Sequence, residues 1–213
     1  MGQFRPALLA DTGSRSKVGG DLCLDFANTA AWDPAGPWKE HLERFRDMVR
    51  WTREAGALPA DRSARLLETS ERQPDRAEAA LAHGRHVRAL IHDIFTRIAY
   101  NHPVVPAHLA ALSDEVGHAF RSARFIQRDG RIVREWSAET EDFEQVIRPI
   151  VAAASDLLLG ERVQRVRACA NPQCGRLFLD ESRNGMRRWC DMRVCGSRAK
   201  ARRYYAKHVE RDA

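Results

Sequence analysis

Cys169-Ala-Asn-Pro-Gln-Cys174-Gly-Arg-Leu-Phe-Leu-Asp-Glu-Ser-Arg-Asn-Gly-Met-Arg-Arg-Trp-Cys190-Asp-Met-Arg-Val-Cys195-Gly-Ser-Arg198 sets two cysteine pairs around a fifteen-residue span, with four residues inside each pair. Zn²⁺ takes four soft ligands in a tetrahedron, and a tight turn at each pair brings two thiolates to one ion. Pro172 stiffens the first turn, and Gly175 supplies a residue that tolerates positive φ just after the second thiolate. Arg176–Asp180 and Met186–Trp189 read as short strands joined across Ser182–Gly185, where Asn184-Gly185 is a hairpin signal. Ser197–Val209 reads as a helix, which puts the second pair at a helix N-terminus, where the dipole favours thiolate. Knuckle, hairpin, helix is the order of parts in a treble-clef zinc finger.

Disulfides, an iron–sulfur cluster and idle core thiols are the other fates of four cysteines. The opening residues Met1–Ala10 lack the apolar run of a secretory leader, so stable disulfides are not expected. Four thiolates leave an iron–sulfur cluster open, but a compact hairpin suits a single ion better. One structural Zn²⁺ on Cys169, Cys174, Cys190 and Cys195 is the expectation. The fifth cysteine, Cys23, lies far away and reads as small core filler.

Working outward, charge is uneven along the 213 residues. Residues 163–213 carry thirteen Lys/Arg against five Asp/Glu, a net +8, while the remainder holds 22 against 24, a net −2. A basic end on a near-neutral body points to a polyanionic partner. No apolar run is long enough to span a membrane, and a cytoplasmic protein is expected.

The body reads as mostly helical. Leu22, Leu24 and Phe26 alternate in a way that predicts a half-buried strand over 18–29, followed by a turn-rich loop at 32–38. Helices are predicted over 39–55, 60–71, a stretch containing Val87–Ile98, 106–121 and 139–159, the last kinked at Pro149. A β-hairpin over 125–136 turns on Asp129-Gly130, Gly160 closes the last helix, and 163–168 reads as extended. Residues 1–18 read as a loose arm. The fold class is α+β: a mostly α-helical first domain with a small β-sheet, about 1–162, then a treble-clef-like finger, about 163–213.

The candidate nucleic-acid contacts are Arg187, Arg188 and Arg193 around the second knuckle, and Arg198, Lys200, Arg202, Arg203 and Lys207 on the last helix. Such side chains neutralise phosphates, and Arg can also read guanine bidentately. The bland alternative is a solvated helix whose arginines pair with acids of the first domain. Trp189 reads as part of a mini-core under the metal with Phe178. In the first domain, Asp25, Asn28 and Thr29 form a polar cluster that could line a ligand pocket or merely cap and hydrogen-bond backbone. No metalloprotease, nucleophile-elbow, phosphate-loop or dinucleotide signature occurs, so an enzyme is not expected.

The run from Cys169 to Lys200, with Cys195-Gly196-Ser197-Arg198 at its heart, resembles the CGNR zinc finger, and Gly19-Gly-Asp-Leu-Cys-Leu-Asp-Phe-Ala-Asn-Thr29 resembles the opening motif of the ABATE domain that precedes it. The resemblance covers nearly the whole chain. It implies a bacterial, stress-induced transcriptional regulator whose finger binds DNA and whose first domain senses a small-molecule effector or a partner. It makes the four cysteines zinc ligands and starts the binding helix at Arg198 and Lys200. Ser197 stands where that family has Asn. An RNA-binding zinc protein and a zinc-stabilised protein-interaction module are the alternatives, and the sequence carries no heptad pattern to argue an oligomer.

Overall fold

The computed structural model describes residues 17–33, 36–137 and 142–209, without side chains at 33, 36–38 and 205–209. Residues 1–16, most of the predicted loose arm, lie outside the described residues.

The described chain runs α1 (Leu22–Ala27), β1 (Ala30–Asp33), β2 (Gly36–Glu40), α2 (Phe45–Glu54), α3 (Ala60–Arg72), α4 (Pro74–Ala99), α5 (Pro106–Phe120), β3 (Ala123–Arg128), β4 (Arg131–Trp136), α6 (Arg148–Leu159), β5 (Val166–Ala168), β6 (Leu177–Leu179) and α7 (Ser197–Val209). Short 3₁₀ turns at Phe143–Val146 and Glu161–Arg165 flank α6. The described residues are mostly helical, with three two-stranded antiparallel sheets among them, β1–β2, β3–β4 and β5–β6.

The long helix α4 is the axis of the body. Twenty-six residues at 1.5 Å rise give it a length of about 39 Å. Pro74 starts it at a position where a missing N–H costs nothing. Its buried face, including Leu81, Val87, Ile91, Ile94 and Phe95, meets α1, α2, α3, α5 and both strands of the β5–β6 sheet. The chain around Asp129 and Gly130 turns with φ of 50° and 76°, as the predicted hairpin requires.

Four local predictions change. Residues 22–27 form a helix, not a strand. Asp21 caps it, accepting from Cys23 N at 3.3 Å, and Cys23, Leu24, Phe26 and Ala27 are all buried. The apparent alternation was too short to distinguish from a helix buried on nearly every side between α4, α6 and β6. The turn-rich loop at 32–38 is instead the β1–β2 hairpin, and the helix read over 39–55 begins only at Phe45. Pro149 causes no kink, because α6 starts at Arg148 and proline occupies its first turn.

The strands predicted between the cysteine pairs also rearrange. Leu177–Leu179 pairs with Val166–Ala168 across the first knuckle, and 186–189 is not a strand. The Asp180 carboxylate instead organises the intervening loop, accepting from Ser182 N at 3.0 Å and Arg187 N at 2.9 Å. Strand β6 is a wall between two cores. Leu177 and Leu179 join the main core with Val166, whereas Phe178 faces the cysteines. Period-two alternation assigns each face. The main core therefore continues past residue 162 into the finger.

Candidate metal centre and nucleic-acid face

The Sγ atoms of Cys169, Cys174, Cys190 and Cys195 all lie within 4.8 Å of one another. Cys174 and Cys190 are 3.6 Å apart and Cys190 and Cys195 3.7 Å. A tetrahedron with Zn–S of about 2.3 Å puts sulfurs about 3.8 Å apart, so the cluster has the size of a four-thiolate zinc site. One structural zinc fits the donor set. Mutual hydrogen bonding among the thiols splits their proton affinities, pulling Cys169 down to about 7 through Cys174 and pushing Cys190 up through Cys169. A divalent cation lets all four ionise together.

Each knuckle has its own scaffold. In the first, Cys174 N donates to Asn171 O at 2.9 Å and closes the turn. Gly175 follows at φ 61°, and a Cβ there would stand 2.6 Å from Trp32 O. Only glycine satisfies both demands. In the second, Asp191 accepts from Arg193 N at 2.7 Å and Val194 N at 3.3 Å, capping the wide turn Met192–Gly196 that leads into α7. The sulfurs themselves receive hydrogen bonds. Cys190 N donates to Cys169 Sγ at 3.5 Å, and buried Asn171 donates through Nδ2 to Cys195 Sγ at 3.6 Å. Such outer contacts orient ligands and spread thiolate charge. Phe178 is fully buried beside the cysteines and Trp189 packs half-buried against them, the predicted mini-core.

The finger is held to the body at several points. Asn28 bonds both backbone groups of Leu177, and Leu179 N donates to Gly19 O at 2.7 Å. On the far side, His92 of α4 donates through Nε2 to Gly175 O at 2.9 Å and stacks on Trp32 at 3.9 Å between ring centroids. Burial pulls the His92 pKa down to about 4, leaving a neutral ring.

The polar cluster predicted after the first strand serves the fold in these contacts. Asp25 accepts from Gly19 N at 2.8 Å, and its burial raises its pKa to about 6. Thr29 donates to Phe26 O at 2.7 Å and accepts from buried Arg88, which also grips Glu40. Asp25, Asn28 and Thr29 line neither the cavity beside His83 nor the one beside His92. Cys23, fully buried against Asp21, has its thiol pushed up by burial, as suits core filler.

The basic candidates divide in two. Arg187 lies over the Phe178 ring at 4.4 Å and bonds the carbonyls of Trp189, at 3.0 Å, and Cys190. Arg202 donates to Asn171 Oδ1 at 3.1 Å, tying α7 to the first knuckle. These two brace the finger. Arg188, Arg193, Lys200 and Arg203 are exposed and Arg198 half-exposed, and none forms an ion pair among the described residues. Arg188 sits over Trp189 at 5.6 Å. The side chain of Lys207 lies outside the described residues. Ser197 donates to Met192 O at 3.4 Å within the second knuckle. Arg187 and Arg202 are themselves exposed, and their bracing roles were invisible in the sequence, since nothing local marks which arginines bond the finger's own backbone and side chains.

Comparison with known families gives two matches. The family model "CGNR zinc finger" matches residues 165–208. The ABATE model, described as "Putative stress-induced transcription regulator", matches residues 20–161. No curated protein matches the chain. No helix among the described residues is long and apolar enough to cross a membrane.

Proposed function

The chain belongs to the ABATE family and ends in a CGNR zinc finger, and from that premise we propose a DNA-binding transcriptional regulator that is not an enzyme. The observation that carries the reading is the set of outward cations around the second knuckle and α7. Arg188, Arg193, Arg198, Lys200 and Arg203 have no acidic partner among the described residues, and the acids near them in sequence are engaged elsewhere, Asp180 with the Ser182 and Arg187 amides, Glu181 with Arg162 and Asp191 with the Arg193 and Val194 amides. Unpaired cations spread over the second knuckle and the helix that follows it suit a phosphate backbone. The zinc supplies the rigidity, holding the start of α7 against the first knuckle. In this reading Arg198, at the start of the helix, probes bases while its neighbours hold phosphates.

The test is fluorescence anisotropy of mixed-sequence duplex DNA and single-stranded RNA against zinc-loaded full-length protein over a salt series. Duplex binding should weaken with a slope of several phosphates, and Arg198→Glu with Arg203→Glu should cost at least tenfold in affinity. Tighter binding of the RNA would make this an RNA-binding zinc protein. Absence of binding to either at low salt would leave a protein-facing basic surface and end the regulator reading.

A further inference from the structure

A cavity of about 470 Å³ lies between α4 and the first zinc knuckle. Its α4 wall is His92, Thr96 and Tyr100, with Trp32 beside them, and its opposite wall is Ala168–Pro172 with Gly175. We propose that this cavity is a binding site for an uncharged, planar aromatic small molecule, anchored by a hydrogen bond to the Thr96 hydroxyl and seated against the Trp32–His92 stack.

Size, polarity and shape each narrow the occupant. The volume falls in the range of small-molecule sites, and the lining is chiefly aromatic and aliphatic. No Lys, Arg, Asp or Glu lines it. A charged ligand would lose its water without gaining a partner, which is costly in such surroundings. Trp32 and His92 stack face to face, 9° from parallel, and both rings belong to the cavity lining. A planar ring system gains most from stacking there.

The polar anchor is specific. Thr96 Oγ1 is buried and has no hydrogen-bond partner among the described residues, a state that native interiors seldom leave uncompensated, and rotation about its Cα–Cβ bond brings the hydroxyl to the cavity it lines. Thr96 is one helical turn beyond His92, so both reach the cavity from the same face of α4. Among the other polar side chains of the lining, His92 Nε2 is engaged with Gly175 O and the Asn171 amide with Cys195 Sγ and Arg202, while Tyr100 is largely exposed to solvent. The Thr96 hydroxyl therefore selects a ligand carrying a complementary donor or acceptor on an otherwise apolar ring. An occupant would touch α4 on one side and the turn carrying Cys169 on the other, linking the helical body to the metal centre. This site is independent of nucleic-acid binding, and its test contains no nucleic acid.

The test uses zinc-loaded full-length protein and two probes, indole and its 3-carboxylate, followed by NMR chemical-shift titration. Indole should shift the resonances of His92, Thr96 and Ala170, and the carboxylate should bind at least about fivefold more weakly. Thr96→Val, which keeps the shape and removes the hydroxyl, should retain the zinc and the melting temperature yet weaken a hydrogen-bonding probe by about tenfold. Ala170→Phe, filling the cavity mouth, should abolish the shifts while one zinc per chain is retained. The proposal is overturned by any of four results: no shifts at millimolar indole, shifts that survive Ala170→Phe, equal binding of the carboxylate, or full affinity in Thr96→Val.

Discussion

Asn28 and Leu177, 149 positions apart, meet as though they were neighbours in a sheet. Asn28 Nδ2 donates to Leu177 O at 2.8 Å, and Leu177 N donates to Asn28 Oδ1 at 3.0 Å. Both residues are buried. A side-chain amide has one donor and one acceptor at the spacing of a peptide group, so it completes the open edge of β6. Asn28→Leu would leave both Leu177 backbone groups buried and unsatisfied. The expected cost is about 2–4 kcal/mol, read as a shift in denaturation midpoint. Asn28→Asp keeps the shape but turns a carboxylate oxygen toward Leu177 O, and should be at least as damaging. A midpoint unchanged by either substitution would show that the finger docks without this contact.

Removing one zinc ligand should do more than unfold a separate module. Leu177 and Leu179 lie in the main core while Phe178 lies with the cysteines, so the metal supports a strand that the helical body also uses. Cys190→Ser should lose the zinc, measured by native mass spectrometry, and abolish amide protection over 169–200. Exchange should also accelerate in the α1 amides that β6 covers, whereas α3, distant from the sheet, keeps its protection. Loss confined to 169–200 would contradict a shared core.

His83 is held between two carboxylates, with Nδ1 2.8 Å from Glu144 Oε2 and Nε2 2.9 Å from Glu115 Oε1. It joins α4 to α5 and to the turn before α6. Asp114, His118 and Arg121 line the same open cavity. The hydrogen bond to Glu144, against an opposing effect of burial, raises the His83 pKa to about 9. A raised pKa contributes stability that is complete below the unfolded value, near 6.5, and is lost as pH climbs through 9. Solvent reaches the site, so the contribution is about 1–2 kcal/mol after screening. Thermal melts of the native chain and His83→Gln should differ most near pH 6 and converge near pH 10. A constant difference across that range would assign His83 a packing role alone.

Arg187→Ala separates bracing from binding. Arg187 covers Phe178 and bonds the Trp189 and Cys190 carbonyls, so its loss should cost about 1–2 kcal/mol of stability. The salt slope of any DNA binding should stay unchanged, while Arg198→Ala should lower it by about one phosphate with little effect on the melt. Reversal of these two outcomes would exchange the roles of the residues.

The sequence by itself determined the features whose cause is local. Two cysteine pairs of equal spacing specify a four-thiolate site whatever surrounds them, because Zn²⁺ needs only ligands and turns. Asp129-Gly130 specifies its hairpin because few residues accept positive φ. The apolar face of α4 was readable because its periodicity persists over several turns. Only the tertiary structure decided the rest. Six residues from Leu22 to Ala27 carry too little periodicity to choose between strand and helix, and burial on several sides made the choice. Leu177–Leu179 had two candidate partners, and Val166–Ala168 won while the Asp180 carboxylate satisfied the loop that would otherwise have been the hairpin. Which arginines brace the finger, and which residues wall the cavity beside Thr96, depend on contacts between segments up to about 150 positions apart. Such contacts are worth little singly against chain entropy and form only once the core has brought their partners together.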